Sequence, residues 1–504
     1  MPESQVDAGL EFAAFRSVPE AEIQDAFARL VRSVWAQGGP TVDAPAWVRR
    51  ALAHLGEGSE AHQARLVLLL GLLVDTSEAA PALDVRGEVR SGLDALLAEL
   101  TSHAARSAGT SPLTLALLYL LGHFPEDAAR ILDRTRGIEL PAEDRARFER
   151  CLAHCDVTAP ALGRVWPSPA GWTLTDEEHA RDRQWAAQLD HATVKAFWDK
   201  DTRSLLAYAG AKAYGAMTVG LSGQDSAQQE IAPPDRTGPA HPGGPLGRHA
   251  EVIRCPTCRH RLTEAAHGAT CTGCGTRYQA RRGYLDLTSA ADGAADVIGE
   301  NAPMYLPRYE SLLRPAFLRV HGINWNDAIS VQAEHQYLAD HVRPAQGPVL
   351  DLAAGAGNWT RTLARTVGAE RVIALDLATA MLDRLRSTLP GVLPLRGSAV
   401  ELPFANASLG AVNCWNALQA MHDPEAAIRE VGRCLRPGGT FTLLTFQPAP
   451  DPVYRHFQTQ IEECLGVKSF HPDALASALE AAGMTVRAMT APGTFLLLTA
   501  VREA

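Results

Sequence analysis

The stretch VLDLAAGAGNWT, Val349 to Thr360, reads as a buried strand running into a glycine turn and then a helix. Val349, Leu350 and Leu352 supply the apolar strand with Asp351 inside it, and Gly355 and Gly357 bracket a turn where the backbone must come close to something. The following helix carries Trp359, Leu363 and Val367 on one side. The pattern D-x-x-x-G-x-G predicts the floor of a nucleotide-type cofactor site; a glycine-bearing turn with no ligand is the alternative these twelve residues leave open.

Downstream, the elements alternate: RVIALDLA as a strand, VLPLRGSA as a strand, AVNCWNAL and TFTLLTF as two more, with helical segments between most of them. The final runs MTVRAMTA and TFLLLTAV are separated by Pro492 and Gly493, which predicts an antiparallel hairpin closing a doubly wound α/β sheet. Upstream, residues 289–345 are expected to be helical and to fold over the glycine turn as a lid.

Before that lies RCPTCRHRLTEAAHGATCTGCGTRYQARRGYLDL. Cys255 and Cys258 are spaced C-x-x-C, Cys271 and Cys274 repeat the spacing, and twelve residues lie between the pairs. Each pair is a tight knuckle aiming two thiolates at one point, and four thiolates satisfy a tetrahedral Zn²⁺ with no open position, so residues 251–288 read as a zinc ribbon with a structural metal. The ribbon is locally basic, with six arginines (254, 259, 261, 277, 281, 282) against three acids (251, 264, 286). Residues 222–250 are rich in Pro, Gly and polar residues and read as a linker that allows the parts on either side to be independent units.

From residue 1 to 221 the pattern is all-α, with leucine and alanine at three- and four-residue intervals in stretches such as EIQDAFARLVRSVW and AHQARLVLLLGLLV, and no fixed repeat period. Trp166, Trp172 and Trp185 are read first as core and second as a docking surface.

Composition agrees with a multidomain globular chain of 504 residues: 46% hydrophobic, 21% charged, formal net charge -10. That balance argues against a surface built wholly for nucleic acid. No apolar run spans a bilayer and the acidic amino terminus does not resemble a signal peptide, so a cytoplasmic protein without membrane contact is expected. Four of the nine cysteines are clustered and five are single, the usage of a reducing compartment.

On these motifs, residues 346–504 resemble a class I S-adenosylmethionine-dependent methyltransferase of the type-11 kind, a Rossmann-like core with a terminal hairpin. The resemblance implies that Asp351, Ala353, Gly355 and Gly357 form the cofactor loop. It implies that Asp376 accepts hydrogen bonds from the ribose hydroxyls, that Leu377 and Met381 flank the adenine, and that Ser398 and Ala399 lie at its edge. Asn416, ending the fourth strand, is placed toward the methyl group or acceptor, and Arg436-Pro437-Gly438-Gly439 turns into the fifth strand. Two departures stand out: the family commonly has an acid at the position of Ser398 and a histidine near Gln419.

The ribbon followed by G-Y-L-D-L and a helical lid resembles a subgroup in which one branch methylates guanine in ribosomal RNA and others are plastid and bacterial enzymes, uncharacterised or acting on small molecules. The implied reaction is in-line transfer of a methyl group to a nitrogen, oxygen or carbon nucleophile, driven by positioning and desolvation. His422, His456, His471 and His335, with Tyr305 and Tyr309 on the lid, are the candidates for accepting a proton; His422, Asn416 and Tyr305 are the expected catalytic set. The leading acceptor is a natural-product or peptide-type substrate gripped by the helical half or brought to it by a partner protein. RNA ranks second, because residues 346–504 hold thirteen basic and fourteen acidic residues and so no broad positive face. A non-catalytic S-adenosylmethionine-binding scaffold is the third reading.

Overall fold

A computed structural model describes residues 7–104, 111–164, 173–222, 244–289 and 308–504. The chain divides into two compact units. One draws on Met1–Ala227, Arg308–Asp327 and Ala449–Leu465, the other on Gln228–Pro307, Ala328–Pro448 and Gly466–Ala504.

The first unit is helical apart from a two-residue antiparallel pair, β1 (Trp35–Ala36) and β2 (Gly39–Pro40). Its centre is the helix Glu60–Asp75, buried without a break from His62 to Val74, which is why the run LVLLLGLLV shows no polar face. It packs against the helices Pro112–Leu121 and His191–Thr218. Helix starts are capped by side chains: the Ser111 hydroxyl accepts from the Thr114 amide at 3.2 Å, and Thr175 and Glu178 form a reciprocal capping box.

Two segments from beyond the linker complete this core, which corrects the expectation of independent halves. The helices Arg314–His321 and Pro452–Leu465 belong to the helical unit. Phe457 sits so close to Gly210, and Trp325 to Gly215, that a Cβ on either glycine would collide with the ring. The Trp325 indole donates to the Tyr454 hydroxyl at 2.7 Å, the Tyr214 hydroxyl donates to Asp451 at 2.9 Å, and His456 Nε2 lies 2.9 Å from Asp75 Oδ2. The segment read as one lid is therefore divided, with Arg308–Asp327 in the helical unit and the helix Val331–His341 in the other.

The second unit is built on one eleven-stranded sheet. Its strands are β3 (Leu262–Ala265), β4 (Gly268–Cys271), β5 (Arg277–Arg281), β6 (Tyr284–Asp286), β7 (Val349–Leu352), β8 (Val372–Asp376), β9 (Leu393–Arg396), β10 (Leu409–Trp415), β11 (Leu435–Phe446), β12 (Met484–Thr490) and β13 (Phe495–Arg502). Their order across the sheet is β12-β13-β11-β10-β7-β8-β9-β6-β5-β4-β3. The strands β7 to β11 run parallel, and β7, β8 and β10 are buried nearly throughout, as central strands covered on both faces must be. The expected terminal hairpin is present, with β13 inserted antiparallel between β11 and β12.

The cysteine ribbon does not hang from this sheet as a separate bead. Its strands β3, β4 and β5 form an antiparallel meander, and β6, the tract Gly-Tyr-Leu-Asp-Leu, pairs in parallel with β9. Backbone bonds from Arg254 to Pro403 (2.8 Å) and from Ala405 to Val252 (2.9 Å) fasten the ribbon's first residues to the core.

Candidate functional site

The sheet reverses direction of build at β7: β8 lies on one side of it and β10 on the other. In such sheets the crevice outside the carboxyl ends of the strands at this switch point is where ligands bind. Two non-glycine residues stand in the left-handed region there, Ala353 (φ 56°) just past β7 and Asn416 (φ 57°) just past β10, on neighbouring strands. Strain of this kind persists where the surroundings enforce it, and it gathers at functional sites.

The glycine turn begins one residue later. Gly355 (φ 55°) and Gly357 (φ 93°) hold backbone that other residues adopt with strain. Their surroundings differ. A Cβ on Gly357 would press on Leu385 and Leu389, whereas a Cβ on Gly355 would meet nothing within 4 Å. Gly357 closes the turn against the helix Thr379–Thr388, and Gly355 leaves open space above it.

Asp376, ending β8, faces this turn. Its Oδ2 accepts from the Gly355 amide and its Oδ1 from the Ala378 amide, both at 2.8 Å. Fixed by two amides, it is a half-buried carboxylate with further acceptor capacity. Met381 is buried and Leu377 half-buried beside it; Ser398 is buried and Ala399 half-buried past the end of β9.

Asp351 has a different setting. It is 2% exposed; the Thr360 hydroxyl donates to its Oδ2 at 2.5 Å and the Asn413 amide to its Oδ1 at 2.8 Å, while Thr442 donates to Asn413 Oδ1 at 3.0 Å. This network crosses β7, β10 and β11 and holds the first turn of the helix Asn358–Val367 against the strand. Burial pushes the Asp351 carboxyl up to about 6 against the opposing pull of Thr360 and Asn413, with the charge of Asp376 adding to the rise. Thr360, Asn413 and Thr442 were not legible as partners, because nothing in their spacing marks them.

On the other side of Asn416, the Gln419 amide donates to its Oδ1 at 2.9 Å, and the Thr445 hydroxyl donates to Gln419 Oε1 at 3.3 Å. Gln419, where the family commonly has histidine nearby, thus fixes the Asn416 side chain. An aromatic wall is built from Trp359 and Trp415 (centroids 6.0 Å apart) with His335 4.7 Å from Trp359, and the Trp415 indole donates to the buried Glu334 at 2.8 Å. Sequence reasoning missed Glu334, whose charge and helical position suggest a solvated face.

Among the expected proton acceptors, His422 is exposed on the loop before the helix Pro424–Cys434, and His335 Nδ1 is 2.6 Å from the Thr362 hydroxyl. His456 belongs to the helical unit, bound to Asp75, and not to the sheet as expected, because its helix packs with residues far upstream. Tyr305 lies outside the described residues, as do Trp166 and Trp172; Trp185 packs on Phe197.

The sulfurs of Cys255, Cys258, Cys271 and Cys274 all lie within 4.8 Å of one another, with Cys255–Cys274 at 3.7 Å and Cys258–Cys271 at 3.3 Å. Four thiolates around Zn²⁺ at about 2.3 Å would stand about 3.8 Å apart, so the donor set fits such an ion. The amides of Gly273 and Cys274 donate to the Cys271 sulfur at 3.3 and 3.5 Å, the bonding that stabilises thiolate charge in a knuckle.

Residues 349–439 match the family described as a methyltransferase domain. This chain carries a class I S-adenosylmethionine-dependent methyltransferase core. The chain is similar to an uncharacterised chloroplastic methyltransferase of Arabidopsis thaliana, 28% identical over 241 residues, covering 42% of this chain and 67% of that protein. It is also similar to the ubiquinone/menaquinone biosynthesis C-methyltransferase of Legionella pneumophila (34% over 157 residues; 28% of this chain, 62% of that protein). A third relative is the 2-phytyl-1,4-naphtoquinone methyltransferase of Thermosynechococcus vestitus (36% over 141 residues; 26% and 63%). The chain spans about two thirds of the length of these curated relatives. No described helix is long and apolar enough to cross a membrane.

Proposed function

We propose that this protein transfers the methyl group of S-adenosylmethionine to a nitrogen, oxygen or carbon nucleophile of a small natural-product or peptide-type acceptor, with the helical half gripping the substrate or a partner that presents it. The observation that carries this reading is the pairing of the Asp376 carboxylate with the open space over Gly355. Asp376 would hold the ribose hydroxyls, the Gly355 turn would admit the methionyl part, and Leu377, Met381, Ser398 and Ala399 would enclose the adenine. The sulfonium supplies an activated methyl group. The residues around it have to orient the acceptor and exclude water, work suited to Asn416 and the Trp359–Trp415 wall. His422 is the candidate to take a proton where the acceptor must lose one. Asp351 acts one layer below, keeping the strand and the helix start in place.

A small-molecule acceptor is favoured over RNA by two observations. Two of the relatives are named for quinone substrates. Four of the six ribbon arginines have hydrogen-bond partners within the protein: Arg259 with Glu430 at 3.1 Å, Arg281 with Gln279 at 2.9 Å, Arg282 with Asp383, and Arg254 with the carbonyls of Glu251 and Ile253. The four cysteines would hold a structural Zn²⁺ that stabilises the ribbon and takes no part in the chemistry.

Calorimetric titration of the full chain with S-adenosylmethionine tests the reading. One-to-one binding is expected, weakened about 100-fold in Asp376→Ala, the order of two charge-assisted hydrogen bonds. Binding that is absent in the native chain, or unchanged in that variant, would overturn it.

A further inference from the structure

We propose that Arg396 is a positioning residue that ties the strand leaving the cysteine ribbon to the turn carrying Asp376, so that order in the ribbon is felt as affinity for an adenosyl cofactor. This rests on the reading of Asp376 as the ribose acceptor.

Three strand ends stand side by side here. Asp286 of β6 is in register with Arg396 of β9, which is in register with Asp376 of β8. Arg396 Nη1 donates to Asp286 Oδ2 at 3.0 Å, while its Nε donates to the carbonyl of Leu377 at 2.9 Å. Asp286 is prepared for this contact, since its Oδ1 accepts from the Thr288 amide at 3.1 Å and the Thr288 hydroxyl at 2.6 Å. The backbone repeats the tie: Leu287 donates to the Arg396 carbonyl at 2.8 Å and Gly397 to that of Asp376 at 3.2 Å.

The guanidinium is 14% exposed and Asp286 23%, so solvent screens the pair only in part. The planar fork offers Nε to one acceptor and Nη1 to the other in a fixed geometry, which the single nitrogen of a lysine ammonium does not reproduce. Behind Asp286 the connection continues through hydrogen-bonded strands: β6 pairs with β5, β5 with β4, and β4 ends on Cys271. The arrangement therefore does two things. It anchors the residue after Asp376 by its carbonyl, and it joins that anchor to the ribbon's own acid, Asp286.

The test uses the full zinc-loaded chain and S-adenosylhomocysteine as the calorimetric probe. Asp286→Asn and Arg396→Met are each expected to weaken binding about tenfold, the order expected for a charged hydrogen bond. The double variant should be no weaker than either single one, because both remove the same link. Arg396→Lys, which keeps charge and bulk, should behave as Arg396→Met. Withdrawing zinc with a chelator should weaken the native chain by a similar factor and add little to Arg396→Met. Single variants within twofold of a native chain that binds would overturn the coupling while leaving the proposed function standing. So would a double variant weakened about 100-fold, or chelation acting in full on Arg396→Met. A native chain that does not bind the probe at all would fail at the earlier step, the reading of Asp376.

Discussion

The two units use buried polar groups for opposite ends. In the helical unit they close on one another. Arg65 donates to Gln24, Gln24 to the Tyr214 hydroxyl, Tyr214 to Asp451, and Asp451 caps the helix Pro452–Leu465 through the amides of Val453 and Tyr454. Asp75 gathers His456 and Tyr119 in the same way. In the sheet unit the polar groups at the strand ends are held by backbone amides and neighbouring side chains, as Asp376 and Asn416 are. The first pattern fixes distant segments in place, and the second, on the proposed function, holds acceptors where a cofactor and an acceptor would meet them. The contrast teaches that a buried hydrogen-bond chain is read best by where it ends.

The contrast can be broken by experiment. The largest effect is expected in the ribbon, where four thiolates around the proposed metal would supply the folding energy of a segment with little core of its own. Cys271→Ser should abolish stoichiometric zinc in metal analysis and melt the ribbon's amide-exchange protection, while protection in the helix Glu60–Asp75 persists. In the helical unit, Phe457→Ala empties the space beside Gly210 and Tyr119 and should cost about 3–5 kcal/mol in denaturant unfolding. Cofactor affinity measured below the transition should be unchanged.

A subtler break concerns Asp351. Its folded-state pKa, raised to about 6, exceeds the unfolded value, so the folded form binds the extra proton between the two. That stability contribution is full below the unfolded pKa and is lost as pH rises through about 6, by up to roughly 3 kcal/mol. Comparing unfolding free energies at pH 4 and 7, Asp351→Asn should flatten this part of the profile; an identical profile would contradict the assignment. Smallest of all, Tyr214→Phe removes the hydroxyl that joins Gln24 to Asp451 and should cost about 1–2 kcal/mol.

Legibility followed the range of the contacts. The strand, the glycine turn, the closing hairpin and the cysteine knuckles were readable because each is a local pattern: apolar runs, glycines at a turn, C-x-x-C twice. The pairing of β6 with β9 was not, although GYLDL was visible as a tract, since no local rule says which edge a short strand joins. The membership of the helix Pro452–Leu465 in the helical unit was equally hidden: His456 and Asp75 are 381 residues apart in sequence, and the glycines that receive Phe457 and Trp325 look like any others in a helix. At the site, Asp376 stood out as an acid at a strand end. Asp351 was visible too, but its burial under Thr360 and Asn413 depends on a helix start and a neighbouring strand meeting it from two directions.

The central claim, that the open space over Gly355 is a cofactor's place, is tested most directly by Gly355→Leu. A Cβ there meets no protein atom within 4 Å, so thermal unfolding should shift mainly by the strain of a leucine at positive φ, about 1 kcal/mol, while calorimetric binding of S-adenosylhomocysteine disappears. Full binding retained by a folded Gly355→Leu protein would contradict the account.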